Sequence, residues 1–366
     1  MKIALVHDYL VQNGGAEKVL QAFCEIFPYA PIYTLVYDEE SMDPFFKERR
    51  IYTSSLQKLS FARKRHRLFP PFMPVAIEQF DFSKYDIVLS SSHSYAKGII
   101  TGPQTKHVSY IHTPMRYAWD DCQKYTADFY FPNFIKRFIP FVMNYIRVWD
   151  WTSAQRPDKI IANSRFIEKR INKYYQRTVD TVIHPPIETD RFHISKEHDD
   201  YFLMVGRLVP NKRFDIAVEA FNVNGLPLKI IGQGPEEKIL ATKAKANIEF
   251  LGRVSDEDLA KYYTNCRAFL FPQEEDFGIV AMEAFASGRP IIAYRGGDIV
   301  EHMDEGKTGV LFTDQSASGI NTAIESFQKI ETQCQSVSIR GRAEQFDKAV
   351  FKARIKNYID SVHEEQ

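Results

Sequence analysis

Short apolar runs alternating with helical patterns, twice over, constrain this chain more than any single residue does. The first series opens with KIALVHDY, passes through a helical pattern from Ala16 to Phe27, and continues through IYTLVY, YDIVLSSS, KHVSYIH and DKIIANS to TVIHPP. The second opens with YFLMVG and runs through LKIIG, IEFLG, RAFLFP and PIIA to GVLF. Strands that alternate with helices form parallel sheets, because a parallel neighbour is reached only by a crossover. At 366 residues the chain is too long for one core and suits two. The expected architecture is α/β, with two doubly wound, Rossmann-like domains facing a cleft. The first spans residues 1–195 and the second residues 196–345. Pro185 and Pro186 stiffen the chain between them, and the acidic stretch from Lys196 to Asp200 reads as the linker. The last segment, 346–366, carries Phe351, Ile355, Tyr358, Ile359 and Val362 at helical spacing.

With 44% hydrophobic and 26% charged residues, the composition is that of an ordinary soluble enzyme, without a disordered or low-complexity tract. Cys24, Cys122, Cys266 and Cys334 are widely spaced and form no C-x-x-C, which indicates neither a zinc site nor a disulfide framework and suits a reducing cytoplasm. Met1 to Leu10 is short and interrupted by His7 and Asp8, so it reads as a buried strand and not a signal peptide. No apolar run reaches the length of about 18 residues that a spanning helix needs.

Net charge is zero, yet unevenly placed: residues 1–195 hold 26 Lys and Arg against 20 Asp and Glu, and the remainder 21 against 27. Much of the excess lies between Phe45 and Phe72, where Arg63, Lys64, Arg65 and Arg67 are interleaved with Phe61 and Phe69. That pattern suits an anionic membrane surface or a lipid-linked acceptor; a solvated basic segment packed by its Phe residues fits the same composition. No nucleic-acid motif accompanies it.

The chemistry is concentrated in the second series. PQEEDFGIVAMEAFASGRPIIA, from Pro272 to Ala293, holds Glu275 and Glu283 eight positions apart with Gly278 between them. Gly278 puts Glu275 on a loop and Glu283 on the helix that follows. Carboxylates accept from hydroxyls while the N–H groups of a helix start face an anion, so the pair suits a phosphorylated sugar. Upstream, YFLMVGRLVPNKRF ends a strand at Gly206 and places Arg207 and Lys212 before a helix. Two cations there can hold a diphosphate without metal, the guanidinium as a fork and the ammonium as a point charge.

Together, Gly206-Arg207-Leu208 with Lys212, and Glu275 with Glu283 followed by Ala-Ser-Gly-Arg-Pro, resemble the retaining nucleotide-sugar glycosyltransferases of family 4, which have the GT-B fold. LVHDYLVQNGGAEKVL, SSHSYAKG, HTPMRYAWD, ANSRFI and VIHPPIETDRF extend the resemblance over nearly the whole chain, toward a bacterial mannosyltransferase-like subgroup of surface-polysaccharide assembly. The resemblance implies that the final helix packs back on the first domain. It also implies that Glu283 binds the nucleotide ribose, Glu275 the sugar hydroxyls, and Arg207 and Lys212 the diphosphate. Phe277, Gly278 and Ile279 would offer backbone N–H groups, and the glycine turn Gly14-Gly15 would approach donor phosphates or acceptor. His112 would lie against the donor sugar. Where many relatives have Glu-Gly-Phe-Gly this chain has Glu275-Asp276-Phe277-Gly278, a departure that bears on donor choice.

Other patterns read as structural. Gly232-x-Gly234 lacks the third glycine of a dinucleotide fingerprint, so NAD is not expected. Asp256-Glu257-Asp258 follows Ser255 at a helix start, where acids complement the dipole, and no metal is expected. Arg116, Trp119 and Asp120 could serve only to brace their loop. The leading expectation is transfer of a hexose, mannose from GDP-mannose, to a glycan or lipid-linked oligosaccharide in the cytoplasm or at the inner face of its membrane. A UDP-sugar transferase, a nucleotide-sugar epimerase of the same fold and a non-catalytic nucleotide-sugar-binding protein are the alternatives.

Overall fold

The computed structural model describes residues 1–59, 70–120 and 137–365. It divides into two compact units, one of Met1–Pro186 with Phe351–Gln366 and one of Ile187–Val350. The first unit contains, in chain order, β1 (Ile3–His7), α1 (Gly15–Ile26), β2 (Ile32–Thr34), β3 (Ile51–Thr53), α2 (Met73–Glu78), β4 (Ile87–Ser92), β5 (Lys106–Ile111), α3 (Ile139–Ser153), β6 (Lys159–Ala162), α4 (Arg165–Tyr175) and β7 (Thr181–Val182). Every strand pair is parallel, in the order β3-β2-β1-β4-β5-β6-β7. Both faces of this sheet are covered, so β1 and β4 are buried along their whole length. Their polar residues fall at the carboxyl ends, His7 in β1 and Ser90, Ser91 and Ser92 in β4.

The second unit contains β8 (Phe202–Val205), α5 (Phe214–Asn224), β9 (Leu228–Ile231), α6 (Glu237–Lys243), β10 (Ile248–Gly252), α7 (Asp256–Asn265), β11 (Ala268–Phe271), α8 (Ile279–Ala286), β12 (Ile291–Tyr294), α9 (Ile299–His302), β13 (Gly309–Phe312), α10 (Ala317–Ile330) and α11 (Ser336–Glu344). Its parallel strands take the order β10-β9-β8-β11-β12-β13. Gly232 and Gly234 have a packing role here. A Cβ on Gly232 would stand 1.8 Å from the Gly206 carbonyl oxygen, and one on Gly234 would stand 2.2 Å from that of Leu208. Their lack of side chains lets the loop after β9 lie directly on the loop after β8. At α7, Ser255 Oγ accepts from the Asp258 N–H at 3.1 Å, and Asp258 also takes the Ser255 hydroxyl, so this acidic run is the capped start of a helix.

The last helix, α12 (Lys348–Glu364), begins in the second unit and from Phe351 onward belongs to the first. Phe351, Ile355, Ile359 and Val362 enter the core formed by α1 and the sheet, with the Phe351 ring stacked on Phe23 at 5.9 Å. The chain enters the second unit at Ile187, ahead of the boundary at residue 195 read from the sequence. The reason is apolar: Ile187 and Phe192 are buried in the second unit's core, and the Ile187 N–H donates to the Phe346 carbonyl at 2.8 Å. Cys24, Cys266 and Cys334 are free, and burial pushes the first two thiols up to about 12; Cys122 lies outside the described residues. Among the described residues no helix is long and apolar enough to cross a membrane.

Candidate functional site

In each sheet the strand order reverses once, between β1 and β4 and between β8 and β11. Loops leaving the carboxyl ends of such a strand pair diverge to opposite faces, which opens a crevice where ligands bind in doubly wound folds. The predicted site residues fall at these two places.

In the second unit, the loop after β8 carries Gly206, Arg207 and Lys212, and the loop after β11 carries Glu275 and leads into α8. Lys212 donates to Glu275 Oε1 in a partly buried ion pair, and Gln273 Nε2 donates to the same oxygen from 2.9 Å. Arg207 is exposed, and its side chain has no ion pair among the described residues. Gly278 has φ +82°, and a Cβ there would stand 2.9 Å from the Phe271 ring, so the turn into α8 calls for glycine. The first N–H groups of α8 have no acceptor within the helix. Phe277 is buried, edge-on to His302 at 5.9 Å and Phe346 at 5.3 Å, so its backbone and not its ring is what a ligand could meet. Glu283 lies on α8 with its side chain buried, and the Tyr263 hydroxyl shares its one proton between the Val280 carbonyl at 3.0 Å and Glu283 Oε2 at 3.2 Å. Burial and the facing Glu283 carboxylate hold the Tyr263 hydroxyl well above its ordinary value, which keeps it a donor.

In the first unit, β1 ends at His7 and is followed by Asp8, whose carboxylate is fully buried. Asp8 accepts four successive backbone N–H groups, those of His93 (2.6 Å), Ser94 (3.0 Å), Tyr95 (2.5 Å) and Ala96 (2.6 Å). Burial alone would raise this carboxyl. The imidazoles of His93 and His7 and the N–H donors of His93 and Ala96 outweigh it and hold the group below the ordinary range. His112 follows β5 and is buried, with Nε2 2.8 Å from Ser91 Oγ. Burial, with His93 and His7 nearby, pushes its imidazole well below the usual value against the pull of Asp8. Gly14 caps α1, and a Cβ there would stand 2.9 Å from Glu17 Oε2; Gly15 is the first residue of that helix.

Neighbouring residues behave as braces. Trp119 Nε1 and the Tyr175 hydroxyl each donate to Asp150 Oδ2 from 2.8 Å, while the buried Lys97 donates to Asp150 Oδ1 from 2.5 Å. Asp120 pairs with Arg170 and accepts from Tyr174. Arg63, Lys64, Arg65 and Arg67 lie outside the described residues.

Residues 13–191 match the family model described as Glycosyltransferase Family 4, and residues 186–344 match the model described as Glycosyl transferases group 1. The chain belongs to glycosyltransferase family 4. Over 159 residues it is 30% identical to an uncharacterized glycosyltransferase of Methanocaldococcus jannaschii, covering 42% of this chain and 45% of that protein. Over 188 residues it is 26% identical to a GDP-mannose-dependent alpha-(1-6)-phosphatidylinositol monomannoside mannosyltransferase of Mycolicibacterium smegmatis, covering 43% of this chain and 49% of that protein. The chain thus spans less than half the length of these two curated relatives. It also superposes on the crystal structure of HepE from Anabaena in complex with UDP and glucose, with a TM-score of 0.72 at 20% identity over 99% of this chain and 100% of that one. The fold is α/β and of the GT-B type.

Several groups at these two switch points escape a reading of the sequence. Tyr263 and Gln273 hold the two glutamates, and Gly297, with φ +73°, backs the Glu275 main chain so closely that a Cβ would stand 2.3 Å from its carbonyl oxygen. Ser91, bonded to His112, and His7 and Glu17 behind it are hidden in the same way, as is Asp8. The only signal of that second group is the His7-Asp8 interruption of an apolar strand.

Proposed function

We propose that this chain is a retaining glycosyltransferase that transfers a hexose, mannose from GDP-mannose, to a glycan or lipid-linked oligosaccharide without a metal ion. The observation that carries this reading is the Lys212–Glu275 pair at the β8/β11 switch point, with Glu283 on the helix that the Glu275 loop feeds. Glu283 accepts from the ribose hydroxyls and Glu275 from those of the hexose. Arg207 and Lys212 hold the diphosphate, with backbone N–H groups of Phe277, Gly278 and Ile279 facing the anion at the start of α8. As the bond from the anomeric carbon to the β-phosphate oxygen breaks, its electron pair passes to that oxygen, and the two cations offset the growing charge. The acceptor hydroxyl attacks from the face the phosphate leaves and gives its proton to a phosphate oxygen, so the configuration is retained and no carboxylate pair is needed. His112 contacts the donor sugar in this reading, and the Gly14-Gly15 turn admits the donor or acceptor.

Mannose and GDP are supported by the likeness to the GDP-mannose-dependent mannosyltransferase of Mycolicibacterium smegmatis. A UDP-hexose donor is the second reading, favoured by the UDP and glucose bound to HepE. Contact with an anionic membrane belongs to the same proposal. Phe138, Phe141, Tyr145, Val148 and Trp151 are exposed along one face at α3, a composition suited to lipid headgroups. Sedimentation with anionic liposomes at low salt tests that contact, and a protein left wholly in the supernatant would remove it.

The test of the donor is thermal stabilisation by nucleoside diphosphates and nucleotide sugars in EDTA, since a ligand of the folded state raises the melting temperature. The expected result is a clear rise with GDP and GDP-mannose. A rise with UDP compounds alone would replace mannose by the second reading, and no rise with any nucleotide would contradict the transferase.

A further inference from the structure

Behind His112 runs a chain of buried polar side chains that the proposed reaction does not use. Glu17 Oε1 lies 3.5 Å from His7 Nε2, a charge contact without hydrogen-bond geometry, while His7 Nδ1 lies 3.1 Å from Ser91 Oγ and Ser91 Oγ 2.8 Å from His112 Nε2, both within hydrogen-bond reach. The sheet register puts these groups together: His7 of β1 is paired with Ser91 of β4, whose partner in β5 is Tyr110, two residues before His112. Glu17, His7 and Ser91 are all buried, and Gly14 leaves the space that the Glu17 carboxylate fills.

A neutral imidazole has one proton and one lone pair on its two nitrogens, and a hydroxyl has a single proton, so the first contact of such a chain sets the direction of the rest. The Glu17 carboxylate has no proton to donate, and its negative charge 3.5 Å away draws the proton of His7 to Nε2 through electrostatics and not through a hydrogen bond. His7 Nδ1 is then a lone pair and receives the Ser91 hydroxyl proton. Ser91 Oγ has only lone pairs left for His112, which donates from Nε2 and keeps Nδ1 unprotonated. Nothing among the described residues bonds that nitrogen. The other charged groups nearby close on one another: Asp8 takes four backbone N–H groups, and His93 Nε2 lies 3.5 Å from Asp8 Oδ2. They act on His112 through space and leave the direction of its bond to Ser91 unchanged.

We propose that Glu17, acting through His7 and Ser91, is a positioning residue that fixes His112 in the tautomer whose Nδ1 accepts a hydrogen bond, ready for a hydroxyl of the donor hexose. The hexose rests on the transferase reading above; the tautomer does not. Burial keeps His112 neutral, the state in which the choice of nitrogen matters. The Tyr110 ring, edge-on at 5.1 Å, and the bond from the His112 N–H to the Ser92 carbonyl hold the group in place.

The test is a long-range proton–nitrogen correlation spectrum of the full chain labelled with 15N-histidine, without substrate, at about pH 8, where an ordinary imidazole is neutral. His112 is expected to show its proton on Nε2. Glu17→Gln nearly keeps the volume but can donate to His7 Nε2, and it is expected to invert the relay and move the His112 proton to Nδ1. Ser91→Ala cuts the link and serves as the second variant, with averaged signals from both tautomers expected. A proton on Nδ1 in the unaltered protein, or a His112 pattern unmoved by both substitutions, would overturn the relay. With the relay intact, failure of every nucleotide sugar to bind would overturn only the assignment of the hexose to His112.

Discussion

At the carboxyl ends of β8 and β11, charge is held near solvent: Arg207 is exposed, and the Lys212 and Glu275 side chains are 22% and 17% accessible. At the ends of β1 and β4 it is sealed away, with Asp8 fully buried under four N–H groups and His7, Ser91 and His112 bonded to one another. The strand order through the two switch points is the same. Topology therefore decides where a ligand can be met, and loop residues decide what kind of group suits each place. Cations near solvent suit a diphosphate, while neutral directed groups suit hydroxyls.

The sharpest way to break this contrast is Lys212→Ala. On the proposed mechanism it lowers donor turnover by about 10²–10³, as loss of one group that stabilises developing charge does, and changes the donor KM far less. Steady-state kinetics of donor cleavage check this, and a loss confined to KM would move Lys212 from the transition state to ground-state binding.

Asp8→Asn tests the sealed side. The amide sets N–H donors against N–H donors, and a loss of about 3 kcal/mol in urea unfolding is expected, from one or two buried charge-assisted bonds. The pH dependence has a definite sign. Because the folded carboxyl lies below its ordinary value, its contribution is whole above about pH 4 and is withdrawn as pH falls through the folded value. The Asn variant should be flatter over that acid range, and parallel curves would contradict the assignment.

Gly297→Ala should cost about 1–2 kcal/mol through its left-handed φ of +73° and also push on the Glu275 main chain. Activity should fall further than stability, and an active variant would show that the Glu275 loop tolerates displacement. Ser255→Ala, which removes the cap of α7, is expected to cost about 1 kcal/mol and leave donor turnover unchanged. A loss of turnover there would give the acidic run Asp256 to Asp258 a part in the chemistry.

Most of the sheet was legible in the sequence because strands covered on both faces read as mainly apolar runs, as in β1, β8 and β11. β3 was not, being three half-buried residues beside a basic stretch. Nor was α3, where exposed Phe141, Tyr145, Val148 and Trp151 erase the contrast between its faces. At the candidate site, Lys212, Glu275 and Glu283 stand in compact motifs. His7, Ser91 and His112 meet through sheet register, with His7 and Ser91 84 positions apart, and Glu17 is added by α1. Tyr263 on α7 and Gly297 on the loop after β12 support their glutamates from other elements and leave no local pattern.

Titration calorimetry of GDP against the unaltered protein, Glu283→Ala and His112→Ala tests the division of labour between the two switch points most directly. GDP is expected to bind the unaltered protein, to bind Glu283→Ala at least about tenfold more weakly, as loss of charge-assisted bonds implies, and to bind His112→Ala with little change. GDP binding that survives Glu283→Ala and collapses in His112→Ala would contradict the placement of the nucleotide on the second unit.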